Sequence, residues 1–411
     1  MLFGRFLEAI VKSGDLRVVD ARGRDHRFGN GTPPALTIRL HRPDLHWRLF
    51  FQPDLYAGEA YCDGTFTVEG GSLYDVLALI ARNADAAGRP PRQIWADRFL
   101  RLLNRLDRSN DATRSRRNAS HHYDLSRQLY ALFLDADWQY SCAYFRSDAD
   151  DLEAAQQQKR RHIAAKLLLH PGMRVLDVGC GWGGLALYLA DRFAARVTGI
   201  TVADEQLAVA QARAREAGLA DRTRFFLRDY RELDGSFERI VSVGMFEHVG
   251  TAHFRQYFDC LRDRLTDDGV ALLHTIGHMG PPGPTNPWIT RYIFPGGYVP
   301  SLSEIAKAIE ESGLWITDIE VWRLHYAETL RCWRHRFLAR RDEAKALYDE
   351  RFCRMWEFYL ALSEISFRYM RQCVYQIQLA KRRDGAPIIR DYMMNEEQAL
   401  DRRESGHFRA A

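Results

Sequence analysis

Arg174-Val-Leu-Asp-Val-Gly-Cys-Gly-Trp-Gly-Gly184 is a short apolar run that ends in glycines, and Leu185, Ala186, Leu187, Leu189 and Ala190 follow it at helical spacing. The pattern predicts a strand, a tight turn and the start of a helix. Glycines let the backbone approach a ligand and take positive φ, and a helix start offers unpaired N–H groups. Such a loop holds a dinucleotide or the amino-acid end of S-adenosylmethionine, or is only a tight connection. The spacing Asp177-x-Gly179-x-Gly181-x-Gly183 favours S-adenosylmethionine, because the dinucleotide fingerprint runs G-x-G-x-x-G. No Lys-Ser/Thr follows the glycines, which excludes a P-loop.

Outward from this loop, strand-like and helix-like segments alternate. Strands are predicted near Arg174–Val178, Arg196–Ile200, Arg224–Leu227, Arg239–Val243 and Val270–His274, with helices such as Asp204–Ala217 and His253–Leu265 between them. Units of this kind build a parallel sheet that binds ligands at the carboxyl ends of its strands. A helical excursion follows (Ser303–Ser312, Ala327–Arg340, Ala344–Met370), and Cys373–Lys381 reads as a late strand at the antiparallel edge. Near the start, residues 1–13 form an amphipathic helix, Leu16–Val19, Ala35–Leu40 and His46–Phe51 read as strands, and a helix falls near Leu73–Arg82. The expected fold class is α/β: a doubly wound, Rossmann-like sheet with inserted helices, plus a small N-terminal α/β domain. The expected divisions are that small domain over 1–85, a basic linker helix over 86–118, a catalytic domain over 119–394 and a polar tail over 395–411.

The chain has 411 residues, 46% of them hydrophobic and 27% charged, a globular composition long enough for two or three domains. Its net charge of +4 is too small to imply nucleic acid. No stretch approaches the roughly 20 apolar residues of a membrane span. The first residues lack the pattern of a secretory signal. Seven cysteines at 62, 142, 180, 260, 332, 353 and 373 include no C-x-x-C, which points to a reducing cytoplasm rather than a disulfide frame.

Candidate site residues lie at the predicted strand ends. Thr201 and Gln206 can hydrogen-bond ribose hydroxyls or a methionine carboxylate, although the acid usual after the second strand is absent. Asp229 and Tyr230 offer a carboxylate for an adenine amine and a ring to stack on it; the plainer role for Asp229 is a cap. Glu247 and His274 leave adjacent strands, as an acid/base pair, an anion site or a contact that rigidifies the sheet. His274 and His278 do not form a helical metal motif, and no metal is expected. Cys142 has no basic neighbour in sequence to lower its pKa and reads as a packing cysteine. Trp288, Tyr292 and Phe294–Tyr298 form an aromatic, glycine-rich candidate lid.

Together Tyr140-Ser-Cys-Ala-Tyr144, Val175–Gly184, Gly244-Met-Phe-Glu-His-Val-Gly250, Leu272-Leu-His-Thr-Ile-Gly277 and Tyr292-Ile-Phe-Pro295 resemble the cyclopropane-fatty-acyl-phospholipid synthases, relatives of the mycolic acid cyclopropane synthases. The resemblance covers about Ala119–Lys381. It implies methylene transfer from S-adenosylmethionine to the cis double bond of an unsaturated acyl chain in a membrane phospholipid. It also implies a bound bicarbonate as general base, held by Cys142, Glu247, His274, the Ile276 backbone and Tyr326. The donor contacts it implies are Tyr140, Ser141, Gly179, Gly181, Thr201, Gln206, Asp229 and Tyr230. Aromatic faces such as those of Tyr144 and Tyr292 would stabilise the carbocation formed on the lipid. Homodimers are common in the family. One departure is Ser363, where many relatives carry cysteine.

Two other functions remain open from the sequence: methyl transfer to the same alkene without ring closure, and lipid binding without catalysis. Between Arg89 and Arg117 nine arginines stand against three aspartates, with apolar residues at helical spacing. That pattern is a solvated linker or a surface for anionic lipid at the inner face of the membrane, with peripheral attachment. Replacing Arg101, Arg105 and Arg108 with glutamine is expected to weaken binding to anionic vesicles, most at low salt. Unchanged affinity in a vesicle sedimentation assay would remove the lipid-surface reading.

Overall fold

The computed structural model describes residues 2–87 and 126–407. In chain order the first elements are α1 (Leu2–Ile10), β1 (Asp15–Val19), β2 (Asp25–Gly29), β3 (Ala35–Leu40), α2 (Leu45–Phe51), α3 (Pro53–Cys62), β4 (Phe66–Gly70) and α4 (Leu73–Ala87). Then come α5 (Arg127–Tyr130), α6 (Leu152–Lys166), β5 (Arg174–Val178), α7 (Gly184–Phe193), β6 (Arg196–Thr201), α8 (Asp204–Glu216), β7 (Thr223–Leu227), β8 (Phe237–Val243), α9 (Phe254–Arg264) and β9 (Leu265–His278). The last are α10 (Pro287–Tyr292), α11 (Leu302–Ser312), β10 (Trp315–Trp322), α12 (His325–Ala339), α13 (Arg341–Leu347), α14 (Glu350–Tyr369), β11 (Gln372–Ala380) and α15 (Asp391–His407).

Two compact units share these elements. One joins Met1–Asp107 to Gly283–Pro295 and Tyr326–Gln372; the other takes Arg108–Pro282, Gly296–His325 and Cys373–Ala411. The continuous 119–394 domain expected from sequence is therefore interrupted twice, because the inserted helices pack with N-terminal ones. Most of the expected linker over 86–118 lies outside the described residues.

In the first unit the sheet order is β2-β1-β3-β4, with β1 and β3 parallel and the outer pairs antiparallel. His46–Phe51, expected as a strand, belongs to helix α2. Leu45 and Leu49 are buried one helical turn apart while Trp47 and Phe51 are exposed, a period that a strand does not produce. The inserted α10 packs on α3, where a Cβ at Gly58 would come within 2.4 Å of the Trp288 indole nitrogen. Trp288 is fully buried, and its ring meets Phe358 of α14 at 4.7 Å. The helix expected over Ala344–Met370 is two, because the Asp349 carboxylate caps α14 by accepting from the Phe352 N–H at 2.7 Å.

In the second unit the sheet order is β10-β11-β9-β8-β5-β6-β7, with β9-β8-β5-β6-β7 all parallel. Chain order reverses between β5 and β8, the switch point at which such sheets open a crevice. β11 is not the edge strand: β10, unread in the sequence, pairs antiparallel outside it. One face of the sheet packs Phe246, Tyr257, Phe258 and Ile305; the other packs Ile163, Ala186, Leu189 and Ala210.

Of the expected polar tail, residues 395–407 lie in α15, which docks on α6. Glu404 is buried there; it accepts from the Arg161 guanidinium at 2.5 Å, the Tyr188 hydroxyl at 2.6 Å and Gln157 Nε2 at 2.8 Å. Removing one partner of a buried ion pair strands the other, so Glu404→Ala is expected to lower unfolding stability by about 3–5 kcal/mol, measured by chemical denaturation.

Candidate active site

The chain turns from β5 into α7 through three glycines with positive φ. Gly179 sits at φ 81°, and a Cβ there would approach the Met245 Cβ to 2.9 Å. Gly183, at φ 83°, caps α7 where a Cβ would meet Ala210 at 2.9 Å. Both positions require glycine for conformation and for space. The Gly179 and Cys180 N–H groups donate to the Ile200 carbonyl, which ties the loop to the end of β6.

A cavity opens beside this loop at the carboxyl ends of β5, β6, β7 and β8. Its lining includes Tyr140, Ser141, Gly179, Gly181, Thr201, Gln206, Asp229 and Tyr230, so all eight expected donor contacts are gathered around one space. The Thr201 hydroxyl donates to Gln206 Oε1 at 2.8 Å, and both side chains are buried. Asp229 is also the cap of a short turn: its carboxylate accepts from the Arg231 N–H at 3.0 Å and takes two guanidinium hydrogen bonds at 2.7 Å. The Tyr230 hydroxyl is buried and makes no hydrogen bond.

Lys159 and Asp177 also line the cavity and are outside the expected set. Lys159, on α6, is buried and donates to Gln139 Oε1 at 2.7 Å and the Ser141 hydroxyl at 2.8 Å. Burial pulls its pKa down to about 8. Asp177 at the end of β5 is buried with Oδ2 unpartnered, and burial pushes its carboxyl up to about 7 while Lys159 opposes the shift. The signal for Lys159 is present in sequence: it falls with Gln156 and Ile163 at spacings of three and four, on a buried helix face.

At the ends of β8 and β9 the second group assembles. Glu247 is buried, and its Oε1 accepts from the Ile276 N–H at 2.6 Å. The Ile276 N–H, expected to face an anion, is thus occupied by the carboxylate. Glu247 Oε2 is buried and has no hydrogen-bond partner, and burial pushes the carboxyl up to about 7. His274 lies two residues from Ile276 on the same strand; burial, reinforced by the positive charges of Lys159 and Lys166, holds its pKa well below the usual value. Its ring meets Trp322 edge-on at 5.1 Å, and Trp322 packs on Tyr144 at 4.8 Å, two residues from Cys142. Glu247 is therefore tied to the strand that carries His274, and the Cys142 segment is joined to His274 through Trp322. Tyr326 is buried in the first unit against Phe367 at 4.7 Å.

The candidate lid is an anchored element. Trp288 is core, and the Tyr292 hydroxyl donates to Glu59 at 2.8 Å. Within the second unit the Tyr298 N–H donates to the Glu247 carbonyl at 2.9 Å. Among the described residues no cluster of three metal-ligating side chains is found, and no helix is long and apolar enough to cross a membrane. All seven cysteines are free.

A doubly wound sheet with this glycine loop and this cavity defines an S-adenosylmethionine-dependent methyltransferase. Residues 110–377 match the family model of mycolic acid cyclopropane synthetase, and the chain belongs to that family. It is 38% identical to the cyclopropane-fatty-acyl-phospholipid synthase of Escherichia coli K12 over 352 residues, 86% of this chain and 89% of that protein. Identity to the tuberculostearic acid methyltransferase UfaA1 of Mycobacterium tuberculosis is 36% over 398 residues, 93% and 91% of the two chains. The crystal structure of mycolic acid cyclopropane synthase CmaA1 complexed with SAH and CTAB superposes with a TM-score of 0.61 at 32% identity, covering 64% of this chain and 97% of that one.

Glu247 also sets a pH dependence. Its folded pKa of about 7 lies above the ordinary 4.5, so between those values the folded state keeps a proton that the unfolded state has released. Stability contributed by this group is then lost as pH rises through that window. Glu247→Gln removes the slope, and its stability relative to the parent is expected to rise across the window and level off above it. Denaturant titrations of both proteins below pH 4.5 and above pH 7 measure this, and parallel curves would contradict it.

Proposed function

We propose that this chain transfers a methylene group from S-adenosylmethionine to the cis double bond of an unsaturated acyl chain in a membrane phospholipid, closing a cyclopropane ring. The observation that carries the reading is the buried Glu247 carboxyl, with one oxygen on Ile276, two residues along β9 from His274, and the other unpartnered. Met245 and His248, which bracket Glu247 in sequence, line the donor cavity. A proton acceptor beside Glu247 and a methyl donor in that cavity would then lie at neighbouring strand ends.

The chemistry needs that proximity. As the alkene's electron pair forms a bond to the sulfonium methyl carbon, the carbon–sulfur bond breaks and positive charge is left on the lipid. Removing a proton from the transferred carbon frees the pair that closes the ring. Bound bicarbonate would supply the base for that proton. The residues fit a small oxyanion: Glu247, titrating near pH 7, can donate or accept through its unpartnered Oε2, and a neutral His274 has an N–H to offer. Cys142 and Tyr326 enter the set through the sequence resemblance alone. Lys159 fixes Ser141 and Gln139 at the cavity wall, and Thr201 and Gln206 hold each other in place for a polar end of the donor. The apolar interior excludes water that would compete for the reactive methyl. The lipid would be met from the inner face of the membrane through the basic segment before residue 118.

The likeness to a tuberculostearic acid methyltransferase favours a second reading, in which the same transfer ends without a ring. Incubation with methyl-labelled donor and vesicles of cis-unsaturated phosphatidylglycerol decides. The expected product carries the high-field proton resonances of a three-membered ring; an exocyclic methylene or a methyl branch overturns ring closure. Glu247→Gln and His274→Ala are expected to lose roughly 100-fold or more of turnover while still binding S-adenosylhomocysteine.

A further inference from the structure

A line of polar groups runs from His274 to the C-terminal helix. His274 Nδ1 lies 3.0 Å from Gln376 Nε2. Gln376 Oε1 accepts from Lys166 Nζ at 2.9 Å. The Lys166 ammonium also donates to Glu320 Oε2, and the same oxygen lies 2.7 Å from His162 Nε2. His162 Nδ1 is 3.1 Å from Glu397 Oε1 on α15. His274, Gln376, Lys166 and His162 are all buried.

Donor and acceptor rules fix every orientation along this line. An ammonium has donors only, so Lys166 requires the carbonyl end of the Gln376 amide and turns its NH₂ toward His274. An NH₂ group only donates, so His274 Nδ1 is an acceptor. The ring is neutral, kept so by burial and by neighbouring positive charge. Its single proton is therefore on Nε2.

We propose that Gln376 is a positioning residue that locks His274 in the Nε2–H tautomer, so that the ring offers a donor, never a lone pair, to an oxyanion at the ends of β8 and β9. The proposal rests on the anion-site reading above and adds the residue that orients the site. Beyond Gln376, His162 faces carboxylates on both ring nitrogens. Burial works against its charge, but hydrogen bonds to Glu320 and Glu397 raise its pKa and make both nitrogens donors. Charges then alternate from Glu397 through His162 and Glu320 to Lys166 and cancel, which is what lets Lys166 remain a buried cation. A glutamine serving only to fill the sheet would have no need of a donor-only partner on one side and an imidazole nitrogen on the other.

Gln376→Glu tests this, because it keeps the shape and the contact to Lys166 but presents only acceptors to His274. Nitrogen-15 spectra of histidine-labelled protein, with the His274 signals assigned by their loss in His274→Ala, report the tautomer directly. In the parent, Nε2 is expected to be protonated and Nδ1 bare; in Gln376→Glu the proton moves to Nδ1. Turnover is expected to fall about 100-fold in kcat, with KM for the donor and S-adenosylhomocysteine affinity unchanged. A parent protein protonated on Nδ1, or a folded Gln376→Glu variant with parental kcat, overturns the inference. If that variant fails to bind S-adenosylhomocysteine, the parent spectrum alone decides. Parental turnover in His274→Ala would instead sink the anion-site reading, a result separable from the tautomer.

Discussion

The reversal of strand order between β5 and β8 is the constraint from which the rest of the catalytic unit follows. Crossover helices leave neighbouring strands toward opposite faces there, so the backbone cannot close over the strand ends. The glycine loop after β5 and the Gly244–Met245 turn after β8 border that gap, pressed so closely at Gly179 that a methyl group has no room. Glu247 follows β8, and His274 lies on β9, the strand paired to β8 on its other side. In the function proposed above, a donor site and an acid/base site would need no special device to become neighbours. Adjacent strand ends suffice.

Such a site is costly to the fold. Asp177, Lys159, Glu247 and His274 are all buried, and each is shifted toward its neutral form. An isolated buried charge costs several kcal/mol, and an unpartnered buried oxygen such as Glu247 Oε2 costs about 1–3 kcal/mol. Nothing in packing asks for these groups. Other buried polar groups, such as Arg161 with Glu404 and Lys166 with Glu320, are held in ion pairs, whereas Asp177 and Glu247 each keep a buried oxygen without a partner, which is the pattern expected of a functional site.

Legibility in the sequence followed the physics of each signal. The five parallel strands are readable because short stretches rich in Val, Ile, Leu or Phe end in glycine or a polar turn, and the eight expected donor positions line one cavity. Period decided the failure at His46–Phe51, where six residues are too few to separate alternation from a helical repeat. Strand β10 is hard to read because alternation in Trp315–Trp322 is confined to Asp318–Val321 and flanked by apolar pairs, its burial set by pairing with β11. Tertiary pairing also hides the Ile276–Glu247 hydrogen bond. No residue's own neighbours in sequence announce a partner on another strand.

The stretch Gln158-Lys-Arg-Arg-His162 shows how far local charge can mislead. In sequence it has the character of a solvated helix face. In α6 successive residues turn about 100° apart, so these four side chains leave in four directions. Lys159 reaches the donor cavity, Arg160 pairs with Asp137, Arg161 with Glu404, and His162 with Glu320 and Glu397. Lys166, one turn on, joins Glu320 to Gln376. One helix thus supports the donor pocket, carries the line that orients His274 and receives α15. The C-terminal helix is for that reason continuous with the site: its Glu397 supplies the outermost negative charge of the buried line, and its Glu404 holds the helix from which that line starts.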